Sequence, residues 1–236
     1  DSAGQSSSEN GYTSGGFAPP TVNTIDKFPF ATDANATDVG DLTQARRFVA
    51  GQSSTENGYT SGGGFPTVNT IDKFPFATDT NATDVGDLTQ ARFGPAGQSS
   101  SESGYTSGGY PSINTIDKFP FATDANATDV GDLTQARGYV AGQSSTENGY
   151  TSGGVAPATV NTIDKFPFAT DANATDVGDL TVARYYLAGQ SSTENGYTSG
   201  GYNVNTIDKF PFATDANATD VGDLTQARYS AAGQQD

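Results

Sequence analysis

The chain contains no cysteine, histidine, tryptophan or methionine among its 236 residues. Basic residues are also scarce, because 11 Lys and Arg stand against 27 Asp and Glu, giving a net charge of −16. No basic face can be assembled from such a chain, so we expect no nucleic-acid partner. A chain without thiols leaves the redox compartment open and is compatible with life outside a cell.

Long apolar runs are missing as well. No stretch approaches the roughly 18 apolar residues that are needed to cross a bilayer, so we expect no membrane insertion. No charged and apolar leader precedes Asp1, and the chain has no initiator methionine. These features favour a processed product or a segment of a longer polypeptide.

The overall composition is that of a disordered chain. Val, Ile, Leu and Phe make up only about 17% of the residues, and this low share combined with high net charge is typical of disorder. However, the chain contains 14 Phe and 11 Tyr. It also contains five nearly identical copies of a sequence of 24 residues, NTIDKFPFATDANATDVGDLTQAR. Because repeated units can bury faces against each other that none could bury alone, we expect a folded repeat protein.

The repeat has a period of about 46 residues. Its opening asparagine is found at residues 23, 69, 114, 161 and 205, in steps of 46, 45, 47 and 44. We expect one domain over residues 1–236 with repeats at about 3–49, 50–95, 96–140, 141–187 and 188–231, and with 232–236 overlapping the start of the first repeat. Each repeat carries one Lys, one Arg, one Glu and four Asp, so the acidity belongs to the repeat and not to a tail.

Each repeat contains four short stretches with strand character, separated by Gly and polar clusters, and no helical period. Four antiparallel strands in 40 to 50 residues make a unit the size of a propeller blade. We therefore predict an all-β fold, a closed five-bladed β-propeller with the termini meeting in one blade. The simplest seam is a strand exchange in which the segment from Arg228 completes the N-terminal blade; the alternative is a longer array cut at an arbitrary point.

The motifs resemble two groups of proteins. The Gly62-Gly63 doublet at the end of a strand, the aromatic strand after it and the Arg before the next Ala-Gly strand are similar to a kelch-type propeller repeat. The near-identical units also resemble the tandem repeats of predicted structural proteins from marine cyanobacterial viruses. These resemblances imply a propeller with a structural or binding role on a particle or cell surface.

Two segments vary between repeats: the one after GYTSGG and the one after each conserved Arg. In a four-stranded meander these two connections lie on the same face of the disc, and the constant acidic loops lie on the other. Exposed aromatics suit recognition of a protein partner or of a glycan by stacking on sugar rings; the alternative is that they fill the blade ends as core. The candidate binding residues are Phe17, Phe65, Tyr110, Val155, Tyr202, Phe48, Phe93, Tyr139, Tyr185 and Tyr229.

The constant acidic loop, DANATD or DTNATD, places Asp, Asn and Thr at positions 1, 3 and 5, as at the start of a calcium loop. The EF-hand Gly at position 6 and Glu at position 12 are absent, and such residues also form metal-free turns. The loop contains an N-glycosylation acceptor as well. The candidate calcium ligands are Asp33, Asn35, Thr37, Asp79, Asn81, Thr83, Asp124, Asn126, Thr128, Asp171, Asn173, Thr175, Asp215, Asn217 and Thr219.

We expect no enzyme and no catalytic residue. The chain lacks His and Cys, and its carboxylates recur five times, whereas an active site normally occurs once with groups of different character. We predict a structural or display and recognition module on a virion or cell surface, with a protein partner in that assembly. The alternatives are a lectin-like protein with repeated equivalent sites and a scaffold stiffened by calcium; otherwise no cofactor is expected.

Overall fold

A computed structural model describes residues 1–155 and 157–233 and confirms the predicted all-β propeller of five four-stranded blades. None of the described residues lies in a helix long and apolar enough to cross a membrane. Blade 1 comprises β1 Ala3–Ser6, β2 Asn10–Phe17, β3 Thr21–Pro29 and β4 Thr37–Asp41; blade 2 comprises β5 Ala50–Ser53, β6 Asn57–Ser61, β7 Thr70–Pro75 and β8 Thr83–Asp87; blade 3 comprises β9 Ala96–Ser99, β10 Ser103–Ser107, β11 Thr115–Pro120 and β12 Thr128–Asp132; blade 4 comprises β13 Ala141–Ser144, β14 Asn148–Ser152, β15 Thr162–Pro167 and β16 Thr175–Asp179; blade 5 comprises β17 Ala188–Ser191, β18 Asn195–Ser199, β19 Thr206–Pro211 and β20 Thr219–Asp223.

Every blade is an antiparallel meander of four strands that are consecutive in the chain. The Gly-Gly doublet after the second strand turns the backbone, since Gly62 and Gly63 have φ values of 63° and 124°, which favour glycine. A register shift in the pairing of the third and fourth strands, between Ile71 and Asp72 in blade 2, bends each sheet. The repeated sequence therefore encodes one local structure five times.

The hydrophobic core lies between blades. Tyr59 of blade 2 packs on Phe119 and Phe121 of blade 3, with ring centroids 5.5 and 4.9 Å apart. Ile71 and Leu88 complete this cluster, which is one of four equivalent clusters between successive blades. A chain with so few aliphatic residues can fold because four of its six isoleucines and five of its six leucines are concentrated at these interfaces.

Ion pairs also join successive blades at four interfaces. The Arg92 Nη2 atom lies 2.9 Å from Asp117 Oδ2, and both side chains are fully buried. Lys73 Nζ lies 2.5 Å from Asp124 Oδ1 at the surface. In four of the five repeats, the lysine and the conserved arginine thus pair with aspartates of the following blade.

Glycine in the fourth strand allows the close approach of the next blade. A Cβ atom at Gly86, where φ is 153°, would lie 2.5 Å from the Ala125 carbonyl oxygen, whereas at Gly222, with φ of 149°, it would meet no atom within 4 Å. We expect Gly86→Ala to lower the unfolding free energy by about 1–3 kcal/mol more than Gly222→Ala, since backbone strain is common to both and overpacking affects only the first. Urea denaturation of the two variants measures the difference, and equal losses would contradict it.

The ring is closed at its centre by backbone hydrogen bonds. Six residues, one per sector, form a circle in which the backbone nitrogen of each residue donates a hydrogen bond to the carbonyl oxygen of the one before it. The donor–acceptor distances are 2.5 to 3.0 Å. The bonds run from Phe48 N to Asp1 O, Gly94 N to Phe48 O, Tyr139 N to Gly94 O, Tyr186 N to Tyr139 O, Ser230 N to Tyr186 O and Asp1 N to Ser230 O. We call these six residues the central circle. The termini thus meet as predicted.

The predicted strand exchange at the seam is wrong. Blade 1 contains its own first strand, β1, paired with β2, so it is complete without the C-terminal segment. Residues 231–233 belong to none of the five sheets and line the central cavity of about 560 Å³ together with the first strands. Residues 234–236 of the segment predicted to overlap the first repeat lie outside the described residues.

The rim between blades 5 and 1 is open. In the described part of the chain no ion pair joins Lys209 or Arg228 of blade 5 to an aspartate of blade 1, unlike the four other interfaces. Arg228 is exposed, whereas its four counterparts are buried, and Ala36 of blade 1 is exposed where Ala82 is buried. We call the space between these two blade faces the open sector.

Candidate recognition face

The two variable segments of each repeat meet on one face of the disc. Phe93, which follows Arg92, exchanges two backbone hydrogen bonds of 3.2 and 2.8 Å with Tyr110, which follows the Gly-Gly doublet. The constant turns lie at the opposite end, where Phe76 N donates to Glu56 O at 2.9 Å. The structure therefore shows the predicted separation of a variable face from a constant acidic one.

The variable aromatics form a single continuous cluster, which we call the aromatic face. Neighbouring ring centroids lie between 4.3 Å, for Tyr139 and Tyr186, and 6.5 Å, for Tyr139 and Tyr185. The cluster crosses blade boundaries, so the rings are not separated into one site per repeat. Its rings are Phe48, Phe65, Phe93, Tyr110, Tyr139, Tyr185, Tyr186, Tyr202 and Tyr229, and Phe17 joins them through Arg47, whose guanidinium lies over the rings of both Phe17 and Phe65.

The inner rings of the aromatic face belong to the central circle. Phe48, Tyr139 and Tyr186 have φ values of 56°, 56° and 59°, in the left-handed region that non-glycine residues rarely adopt. Their rings contact each other at the axis of the disc, with Phe48 5.5 Å from Tyr139 and 5.7 Å from Tyr186. Burial, together with a hydrogen bond to Tyr139, raises the pKa of the Tyr186 hydroxyl.

The outer rings of the aromatic face are about half exposed. Phe17 is 50%, Phe65 56%, Tyr110 48%, Tyr202 49% and Tyr229 61% exposed, so none of the five is buried core. Val155, the equivalent in blade 4, is half-buried, as are Phe93 and Tyr185. The predicted binding positions thus combine a partly buried inner layer with an accessible outer layer.

Sequence reasoning missed two members of this site, Arg47 and Tyr186. The Arg47 guanidinium carbon lies 4.6 Å from the centroid of Phe17 and 4.1 Å from that of Phe65, within cation–π range. The sequence prediction includes one residue from each variable segment. Both of the first two positions after the conserved Arg, however, carry side chains of the aromatic face. The doublets Arg46-Arg47 and Tyr185-Tyr186 were the available signal.

The predicted calcium ligands lie on the other face and join blades. Asp124 pairs with Lys73, and the Asn126 Oδ1 atom accepts a hydrogen bond of 3.0 Å from Asp87 N. Four of the five loops make this pair of contacts to the preceding blade, and loop 1, with Asp33, Asn35 and Thr37, borders the open sector. Among the described residues no group of three acidic side chains is placed to hold a metal. Calcium binding stays a prediction.

No protein-family model matches the chain, and no curated protein matches it. The resemblance to kelch repeats and to viral structural proteins therefore stays a prediction.

Proposed function

We propose that the protein is a non-catalytic recognition module of a virion or cell surface, and that the aromatic face binds a protein partner. The observation that supports this best is the continuous cluster of half-exposed rings beside Arg47. Soluble proteins seldom expose contiguous apolar patches unless the patch is an interaction site. Aromatic residues and arginine also supply most of the binding energy in protein interfaces.

The distribution of variation supports the same proposal. Residues of the repeated sequence, such as Asp117 and Phe119, are buried between blades, where each meets the same neighbours in every repeat. Residues that differ between repeats lie on the aromatic face, where they contact each other. A constant scaffold thus carries one asymmetric surface, which suits a single specific partner better than five identical ligands.

A lectin-like role is the second candidate, because the outer rings offer accessible faces on which sugars could stack. Glycan-array binding that depends on Tyr110 or Phe65 would favour it over a protein partner. A non-catalytic role in either case is supported by the fivefold repetition of the carboxylates, since catalytic groups normally form one site of unequal residues.

Removing the outer rings tests the proposal. We expect the triple variant Phe65→Ser, Tyr110→Ser, Tyr202→Ser to melt within a few degrees of the parent, because these rings are half exposed. Affinity for the partner, captured from the source, purified and measured by calorimetry, should fall by about 100-fold or more, as for loss of several interface anchors.

The matched control is Phe30→Ser, which removes a ring that is 52% exposed on the constant face. It should bind the partner as the parent does. Loss of the fold in the triple variant, or equal binding by all three proteins, would overturn the assignment of the aromatic face.

A further inference from the structure

The central circle has six positions, although the chain has five blades. Its sixth position, Ser230, leads into residues 231–233, which line the central cavity as the first strands do. Gly233 lies against the Gly189 carbonyl, just as Gly51 lies against Gly4 and Gly97 against Gly51. The segment 229–233 therefore occupies the place of the first strand in a sixth sector.

The blade 5 side of the open sector presents the residues that, in the other blades, pack against the following blade. Tyr197 is half-buried, whereas the equivalent Tyr59, Tyr105 and Tyr150 are buried under Phe residues of the next blade. Arg228 is exposed, and a Cβ atom at Gly222 would meet nothing within 4 Å. This wall carries a partly exposed aromatic ring and an exposed arginine that pairs with no carboxylate of the described residues, in the places where the other blades are covered.

The blade 1 side repeats the other half. Asp26 is partly exposed, whereas Asp72, Asp117, Asp164 and Asp208 are fully buried against the arginine of the preceding blade. Phe28 is half-buried where Phe74 is buried, and Ala36 is exposed where Ala82 is buried. This wall carries an uncovered carboxylate and uncovered apolar side chains.

We propose that the open sector binds a three-stranded β-unit with this repeat's own sequence, carried by a partner polypeptide. The partner supplies the second, third and fourth strands, and residues 229–233 supply the innermost segment. Its aspartates pair with Arg228 and Lys209, its arginine pairs with Asp26, and its lysine pairs with Asp33. Its Phe-Pro-Phe covers Tyr197, and its tyrosine packs on Phe28.

The two walls select this occupant. Each wall is one half of an interface that occurs complete four times in the chain, so a unit of the same sequence matches both at once. An intact second copy does not fit, because its blade 1 has an open face on one side only and blade 2 covers the other. Addition of strands to an incomplete β-structure is an established mode of recognition.

The test uses the full chain and a synthetic peptide with the sequence of residues 55–92, which holds strands two to four of one repeat. We expect binding of one peptide per chain by native mass spectrometry, and a melting temperature that rises with peptide concentration. Asp72→Asn in the peptide, or Arg228→Met in the chain, should weaken binding by about 30-fold or more, because each removes one partner of a buried charge pair.

Matched controls distinguish the specific ion pair between Asp72 of the peptide and Arg228 of the chain from non-specific electrostatic attraction. Glu56→Gln in the peptide removes an exposed carboxylate and should leave the affinity unchanged. The chain with the triple substitution on the aromatic face should bind the peptide normally, so failure here and failure of the proposed function are distinguishable. Equal weakening by Glu56→Gln and Asp72→Asn would overturn the proposed pairing.

A second experiment tests the same pairing if the isolated peptide does not fold. Residues 55–92 are joined in register after residue 236. In the extended chain Arg228→Met should lower the melting temperature by about 10 °C, since the pair is now buried, and in the parent by no more than about 1 °C. The same small effect in both chains, or burial of Arg228 in a dimer of the parent, would overturn the proposal.

Discussion

Arg92→Met is expected to lower the free energy of unfolding by about 3–5 kcal/mol, because it leaves a buried carboxylate without its counter-charge. The Arg92 guanidinium donates to Asp117 Oδ2 at 2.9 Å, to the Thr115 hydroxyl at 2.8 Å and to the Gly108 carbonyl at 3.2 Å. Methionine replaces the volume of the side chain but none of these bonds. Urea denaturation followed by far-ultraviolet circular dichroism measures the loss.

The repeat provides the matched control, Arg228→Met. Arg228 follows the same DLTQA sequence as Arg92 but is exposed at the open sector, so its replacement should change stability by no more than about 0.5 kcal/mol. A small loss for Arg92→Met, or a large one for Arg228→Met, would show that the buried pair does not stabilise the interface as described.

Phe119→Ala is the second change with a large expected effect, a loss of about 3–5 kcal/mol. The Phe119 ring is 2% exposed and packs on Tyr59 of the preceding blade with centroids 5.5 Å apart. It also covers Gly104, where any Cβ atom would collide with the ring. Alanine therefore leaves a cavity at an interface that the surrounding strands cannot easily close.

Phe28→Ala is the control, since Phe28 occupies the same position in blade 1 but faces the open sector and is only half-buried. It also covers Gly11 within its own blade, as Phe119 covers Gly104. We expect a loss of about 1 kcal/mol, close to the centre of the range for point variants. If the two losses measured by thermal unfolding were equal, the contacts between blades would contribute little, and packing within each blade would account for stability.

The fold was predictable from the sequence because the repeat carries it. Strand count, the Gly-Gly doublet and a period of about 46 residues determine a four-stranded blade, and five copies determine five blades. Sequence order alone, however, does not give the angle between blades, which is set by how Tyr59 meets Phe119 and how Gly51 approaches Gly4.

The seam was not predictable, because the number of positions around the centre depends on the angle between blades. Residues 3–5 and 232–234 have the same sequence, Ala-Gly-Gln. In a ring with five central positions, only one of these two segments could serve as the first strand of blade 1. The central circle has six positions, so the C-terminal segment lies beside blade 1 instead of within it. Similarly, the face of the variable residues followed from strand count, but the left-handed backbone at Tyr139 and Tyr186, which brings their rings to the axis, did not.

Because all four interfaces have the same chemistry, whole blades are interchangeable. Deleting residues 96–140, for example, would leave Tyr59 opposite Phe166 in place of Phe119, with the same ring, the same aspartate and the same glycine around it. A change in the number of repeats therefore keeps the side-chain contacts between neighbouring blades but removes a residue, here Tyr139, from the central circle, whereas a single substitution at an interface breaks one of those side-chain contacts. The interfaces thus determine the chemistry between neighbouring blades, and the central circle determines how many sectors the ring holds.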